Sequence, residues 1–347
     1  MTPLPGALES PSSDGARSVM RGPAVSVLVP CRDEEEHIET CLSSILAQEE
    51  PPGGFEVIVA DGMSDDGTRA TLARIAAEDD RVTVVDNVGR IVSTGMNAAI
   101  RRARGGILVR MDAHATYASD YLRRCVETLE ASGADNVGGP YRTSAEGRSQ
   151  RAIAAASASM FAVGRQRARQ VHYEGYVDTV FFGCWRRETF DRFGLFDETL
   201  ERNQDDEHNL RITRAGGKIW QSPAIQAWYR PRSSLRALFR QYFAYGYWKV
   251  PLILKHRGPA SVRHLVPAVF VLSVVALPTL ALWWGPALWL WTGFLGVYAL
   301  GVLAASLASA ASAGWDLLPR LPATFCVFHA AYGLGFLAGM AHPRRHR

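Results

Sequence analysis

The placement of charge constrains this chain more than any other feature. Between Leu265 and Ala341 the only Asp, Glu, Lys or Arg residues are Asp316 and Arg320, and nearly all the others lie upstream. Residues 265–284, 286–315 and 321–341 form three apolar runs, the last containing His329. About twenty apolar residues cross a bilayer, so each run is a candidate membrane helix. Trp283, Trp284, Trp289, Trp291 and Trp315 cluster near the run ends, where indoles favour the headgroup zone. Pro267 and Pro278 are tolerated in such helices. A polar half joined to an apolar half is therefore expected, with residues 263–347 as the membrane region.

Orientation follows from the basic residues. Lys255, His256, Arg257 and Arg263 put the entry to the first run on the cytoplasmic side. Three full spans would leave Arg344, Arg345 and Arg347 outside, against the positive-inside tendency, unless one segment is re-entrant or interfacial. The predicted location is the cytoplasmic (inner) membrane, multi-pass, with the polar half facing the cytosol. Residues 1–23, rich in Pro, Gly and Ser, read as a disordered tail without the apolar core of a signal peptide. Five cysteines, widely spaced and with no Cys-x-x-Cys pair, argue against a disulfide framework or a structural zinc site. A net charge of only +4 gives no global sign of nucleic acid.

The polar half, residues 24–230, alternates strand and helix patterns. Apolar runs at 25–29, 57–60, 82–85 and 107–111 read as strands buried on both faces. Pro30 is predicted to end the first, and Asp33 to cap a helix whose first turn carries Glu34, Glu35 and Glu36. Ile38, Leu42, Ile45 and Leu46 recur at helical spacing, and residues 68–77 and 95–104 read as two further helices. This α/β order predicts an open, Rossmann-like parallel sheet, whose ligands bind beyond the carboxyl ends of the strands. Asp33, Asp61 and Asp112 all stand there. Asp112 and His114, two residues apart, leave an extended strand on one face and could converge on one divalent cation. Residues 203–217 read as a short helix with an acidic start (Asp205, Asp206, Glu207), a basic end and a glycine stop. Residues 231–262 are basic and aromatic, which suits an amphipathic helix in a lipid interface better than nucleic-acid stacking.

Taken in order, Ser26-Val27-Leu28-Val29-Pro30 with Glu34, Asp61-Gly62-Met63-Ser64-Asp65-Asp66-Gly67-Thr68, Asp112-Ala113-His114 and Gln204-Asp205-Asp206-Glu207 resemble the motifs of family 2 glycosyltransferases. Phe182-Gly183 and Arg187-Glu188-Thr189-Phe190 match the loop and helix that precede the family's catalytic acid. The membrane tail is similar to the exopolysaccharide branch, the succinoglycan glucosyltransferases. The resemblance covers about residues 25–249 and implies a GT-A catalytic domain that inverts a sugar taken from a nucleotide-sugar, a UDP-sugar by expectation. It also implies nucleotide-sugar contacts from Pro30, Arg32, Glu34, Asp61, Ser64 and Asp112, and a Mn²⁺ or Mg²⁺ ion on Asp112 and His114. The family usually carries Asp-x-Asp, so His114 is a departure that lowers the preference for hard Mg²⁺. Gly62 stands where a second acid is common. The helix register makes Asp205 the base, with Asp206 as the fallback.

Processive members carry Gln-x-x-Arg-Trp after this helix, whereas Gln241-Tyr242-Phe243-Ala244-Tyr245 lacks both Arg and Trp. The expected acceptor is thus a polyprenyl-linked saccharide that receives one sugar, at a membrane lipid surface, with no nucleic acid involved. Arg240 or Lys249 is a candidate contact to the diphosphate. Two alternatives remain open here: a polyprenyl-phosphate sugar synthase, and an inactive nucleotide-binding homologue acting as a scaffold.

Overall fold

The computed structural model describes residues 23–342 except Arg165 and Ala260; the predicted tail therefore lies outside the described residues, save Pro23. The polar half begins as β1 (Val25–Cys31), α1 (Ile38–Leu46), β2 (Phe55–Asp61), α2 (Thr68–Glu78), β3 (Val82–Asp86), α3 (Val92–Arg102) and β4 (Ile107–Arg110). It continues through β5 (Ala115–Tyr117), α4 (Tyr121–Ser132), β6 (Asn136–Gly139), β7 (Arg142–Thr143), α5 (Gly147–Ala158), α6 (Met160–Val163), β8 (Gly175–Tyr176) and β9 (Phe181–Arg186). Then come α7 (Arg187–Phe193), α8 (Gln204–Arg214), β10 (Ile219–Gln221) and β11 (Ala227–Tyr229). The apolar half is preceded by α9 (Leu235–Lys255) and consists of α10 (Val266–Leu280), α11 (Pro286–Ala313) and α12 (Leu321–Ala341).

An eight-stranded sheet in the order β3-β2-β1-β4-β9-β6-β10-β8 forms the centre, beside a small sheet β5-β11-β7. The first four strands are parallel, as the alternation of patterns predicts. The expectation of a wholly parallel sheet is corrected at β9, which runs antiparallel between β4 and β6. The strands of that half are short and carry no alternating pattern, so their direction was invisible in sequence. Side chains of β1 alternate between the two faces: Val27 and Val29 pack with Ile38, Leu42 and Val59, while Leu28 packs with Ile58, Met96 and Trp185. Register aligns Cys31 with Asp61 and Asp61 with Asp86, so the strand ends form one rim.

Two local expectations fail at that rim. The first strand runs through Pro30 to Cys31. Helix α1 starts only at Ile38, and Asp33 does not cap it. The reason is tertiary: the amides of Asp33, Glu34 and Glu35 donate to Ser64 Oγ (2.9 Å), Thr68 Oγ1 (2.8 Å) and Asp66 Oδ2 (3.2 Å) in the next rim loop. Asp33 itself sits at φ 53°, and its carboxylate accepts from the Asp65 amide. Hydrogen bonds between loops replace the helical turn that the acidic run alone would favour.

The apolar half is fastened to the polar half along α9. Helix α12 lies close against α9 because glycines face the contact: a Cβ on Gly335 would stand 2.0 Å from the Phe243 carbonyl, and one on Gly246 2.1 Å from the Tyr332 carbonyl. Gly335 and Gly339 are four residues apart, the spacing that lets helix backbones approach in membrane proteins. Helix α5 joins them, its Ala152, Ile153 and Ala156 packing with Leu238, Phe325 and Phe328. Among the described residues three helices are long and apolar enough to cross a membrane, residues 262–280, 286–313 and 321–341. The five cysteines are free, and only Cys326 is exposed. A side chain at 335 must push against backbone, an overpacking that costs about 1–3 kcal/mol or more. Gly335→Val is therefore expected to lower the thermal midpoint in detergent by several degrees. Gly293→Val, where a Cβ meets open space, should leave it unchanged.

Candidate active site

The rim above β1, β2 and β4 gathers the acidic residues singled out in sequence. Asp61, at the end of β2, is fully buried. Its Oδ1 accepts from Ser64 Oγ (2.5 Å) and its Oδ2 from Arg69 (2.9 Å), while Arg69 also bridges to Asp86 (2.8 Å). Ser64 thus ties Asp61 to the Asp33 amide and locks the two rim loops together. Gly62 has a packing reason: a Cβ there would lie 2.9 Å from Arg32 Cβ. The stem of Arg32 occupies the space that a second acid would need. Arg32 itself is half exposed and pairs with Asp33 at 3.3 Å.

Asp112 follows β4 immediately. Its carboxylate is gripped in a bidentate fashion by Arg110, at 2.6 and 2.9 Å. Arg110 is buried, and although burial pushes its pKa down, the Asp112 charge outweighs that and raises it. Asp205 also acts on this guanidinium electrostatically. His114 turns away from Asp112 toward Glu34, with Nδ1 3.4 Å from Oε1. That contact, with the nearby Asp112 charge, raises the imidazole pKa against the effect of burial. The structure therefore brings Glu34, Asp112 and His114 into one neighbourhood, with Arg110 as the element the sequence reading passed over. Its signal was present: an arginine inside a buried central strand is rarely there for solubility.

Helix α8 presents its three acids to different surroundings. Asn203 precedes it at φ 62°. Asp206 binds Lys249 Nζ of α9 at 2.6 Å. Glu207 is wholly buried and holds Arg211, Lys255 and His256 at 3.0, 2.8 and 3.0 Å. Asp205 accepts from the Asp206 amide at 2.9 Å. The environments drive the adjacent pair apart. Burial and then the Asp206 charge raise the Asp205 pKa; at Asp206 burial acts the same way, but Lys249 more than offsets it and the net shift is downward. Neighbouring carboxylates separated in this way divide acid–base work between them. Lys249, a candidate for the diphosphate in sequence, is engaged with Asp206, and Lys255 with Asp197 and Glu207. These two cations of α9 are thus paired within the protein.

A cavity of about 100 Å³ lies beside the rim, lined among others by Tyr141, Arg169, Phe181, Tyr229, Gln241 and Tyr245. Gln241 donates to the hydroxyls of Tyr229 (3.3 Å) and Tyr245 (2.9 Å), and Tyr229 meets His114 edge-on at 6.0 Å. Gln241 and Tyr245 come from the stretch that lacks the processive motif. The remaining lining comes from α5, α9, α12 and the irregular segments around Tyr141, Arg169, Phe181 and Tyr229.

The chemistry of the donor set fits a divalent cation in part. Arg110 takes two of the roughly four lone-pair positions of the Asp112 carboxylate, leaving others free for a metal, and ligating carboxylates are commonly hydrogen-bonded from behind in this manner. His114 adds an imidazole. Among the described residues no cluster of three or more His, Cys, Asp or Glu side chains is poised around one point, so protein ligands alone would not fill the coordination sphere.

Comparison with known proteins identifies the family of the chain. Residues 26–193 match the family described as Glycosyl transferase family 2. The chain is 33% identical to the succinoglycan biosynthesis protein ExoA of Rhizobium meliloti, over 92% of this chain and 96% of that protein. It is 24% identical, over 91% and 97%, to a dolichyl N-acetyl-alpha-D-glucosaminyl phosphate 3-beta-D-2,3-diacetamido-2,3-dideoxy-beta-D-glucuronosyltransferase of Methanococcus voltae. In structure it resembles the mannosyltransferase PcManGT of Pyrobaculum calidifontis, solved with GDP-Man and Mn²⁺, with a TM-score of 0.60 at 21% identity over 93% of this chain and 88% of that one. The GT-A fold, the ordered rim motifs and a relative matched from end to end lead to one conclusion: this chain belongs to glycosyl transferase family 2 and is a glycosyltransferase of polysaccharide or glycan biosynthesis.

Proposed function

We propose that the chain is an inverting, metal-dependent transferase that moves one sugar from a nucleotide-sugar, a UDP-sugar, to a hydroxyl of a polyprenyl-linked saccharide during cell-surface polysaccharide assembly. It works at the inner membrane with its catalytic domain in the cytosol. The observation that carries this reading is the Asp205–Asp206–Lys249 arrangement: one carboxylate is fixed by a cation, and its neighbour is left with a raised pKa. Inversion in a single displacement needs a base opposite the leaving group, and a carboxylate with an elevated pKa is suited to take the acceptor proton. Asp205 fills that role, while Asp206, anchored by Lys249, positions the helix end.

Asp61, Ser64, Glu34, Pro30 and Arg32 line the nucleotide side of the rim. Asp112 and His114 would hold a divalent cation such as the Mn²⁺ bound by PcManGT, with the donor's diphosphate oxygens completing the coordination. When bound, that cation neutralises the charge on the departing diphosphate. Arg110 holds the Asp112 carboxylate in place through its bidentate contact. Tyr229, Gln241 and Tyr245 face the acceptor side, where their hydrogen-bonded rings present a surface for a saccharide.

Asp205→Asn is expected to reduce kcat by about 10²–10⁴-fold with little change in the donor KM, in assays of nucleoside diphosphate release with lipid-linked acceptor. Retention of most activity would instead indicate a phosphate acceptor, which needs no strong base. The acid limb of the kcat profile should lie above the ordinary carboxylate range, because activity requires ionised Asp205 and burial raises its pKa. Removing the Lys249 cation withdraws stabilisation from both carboxylates, so Lys249→Met should move that limb to higher pH. Chelation with EDTA should abolish release in the native protein and be reversed by Mn²⁺, whereas Asp112→Asn should respond weakly to added metal.

A further inference from the structure

We propose that the apolar half crosses the membrane twice, as an α10–α11 hairpin, and that α12 lies along the catalytic side without crossing. The inference concerns the lipid-facing surface and holds whether or not Asp205 is the base.

The first observation is the course of α12. From Phe328 to its end it runs parallel to α9: Tyr242 meets Phe328 at 4.4 Å, the Phe243 carbonyl faces Gly335, the Tyr247 carbonyl faces Gly339, and Tyr247 Oη donates to the His342 carbonyl at 2.9 Å. Helix α9 is in turn bonded to the catalytic domain from one end to the other. Gln241 bonds Tyr229, Asn203 donates to the Tyr245 carbonyl (3.1 Å), Lys249 pairs with Asp206, and Lys255 pairs with Asp197 (2.6 Å). A helix parallel to one that lies flat on the domain keeps both of its ends on the domain side. The start of α12 confirms the geometry, since Phe325 packs on Phe161 beyond α5 (5.7 Å). A crossing helix would carry one end about 30 Å away.

The second observation is the hairpin. Arg263, just before α10, bonds Asp178 of the catalytic domain at 2.9 Å. At the far end of α11, Arg151 of α5 bonds Asp316 at 2.9 Å and the Ala313 carbonyl at 3.1 Å. Between these anchors the helices run antiparallel, with Phe270 on Tyr298 (4.3 Å) and Trp291 donating to the Val274 carbonyl (3.1 Å). The turn between them carries Trp283, 79% exposed, and Trp289 stands 78% exposed just after it. The apolar helical stretch Val262–Leu280 is 19 residues long, about 28 Å of helix, and with the turn that follows it reaches the hydrocarbon thickness and puts those indoles at the opposite headgroups. Outward-facing Val269, Leu272, Val275, Leu300 and Leu303 would otherwise lie bare in water.

Two crossings also return the chain to the side it left. The connection bearing Asp316 and Arg320, and the exit of the chain at His342, then share the catalytic side, and Arg344, Arg345 and Arg347 need no exception to the positive-inside tendency. The test is thiol labelling with a membrane-impermeant maleimide of the full chain carrying Cys326→Ser, expressed in a bacterial host. Three added variants serve: Glu130→Cys on the catalytic domain, Gly285→Cys in the hairpin turn, and Arg347→Cys. Glu130→Cys and Arg347→Cys should be labelled in inverted inner-membrane vesicles and not in intact spheroplasts, with Gly285→Cys showing the reverse. Labelling of Arg347→Cys from outside would overturn the proposal in favour of three spans. Labelling of Gly285→Cys from the vesicle side alone would overturn the crossing of the hairpin. A fluorescent-protein fusion after Arg347, bright only when it remains in the cytosol, gives the same reading without any cysteine.

Discussion

The pair between Lys249 and Asp206 joins everything that matters in this protein. Its ammonium comes from α9, the helix on which the apolar half is mounted, and its carboxylate from the first turn of α8, where the candidate base stands. The lysine side chain is only 5% exposed while that of Asp206 is 42% exposed, so the ammonium is sheltered, the carboxylate is partly screened by water, and loss of the lysine would leave Asp206 without its partner. One contact therefore sets the ionisation of Asp206, helps leave Asp205 with the higher pKa, and registers the catalytic domain against the membrane helices.

A second pair, Arg110 with Asp112, performs the same service on the donor side. Both pairs bury a cation from one element against an acid at a strand or helix end. The acids alone could have been read as helix caps or dipole partners, and for Glu207, with its three cationic neighbours, that structural reading is the better one. The difference between a structural acid and a chemical one is how far its charge is cancelled. Glu207 is cancelled several times over, Asp206 once, and Asp205 faces Arg110 only at a distance.

Much of the site was legible in residues. Asp61 and Asp112 stand where an α/β alternation puts strand ends, and Asp205 and Asp206 open a helix whose boundaries, Gln204–Arg214, follow from its acidic start and glycine stop. The failures share one origin. Asp33 looked like a helix cap because local patterning favours one, yet Ser64, Thr68 and the Asp66 carboxylate, thirty residues away, captured the amides first. The reversed strand β9 and the aromatic cavity lie in short segments where no period accumulates. Arg110 was hidden by its place within an apolar run, where hydropathy counts it as an interruption and only its partner explains it.

By itself the sequence determined that an α/β half precedes a half nearly free of charge, which acids gather at the sheet rim, and which runs are apolar enough for lipid. Those properties depend on composition and on spacing along one element, so they survive without knowledge of neighbours. Which apolar run packs along α9, which carboxylate keeps a raised pKa and which lysine is already paired were decided only in the tertiary structure. Each depends on what another part of the chain places within a few ångströms: a glycine stripe that lets α12 settle on α9, an ammonium that reaches Asp206, an arginine that closes on Asp112. Hydropathy cannot distinguish a helix that borders lipid on all sides from one that shares its length with a partner, because the distinction lies in the partner.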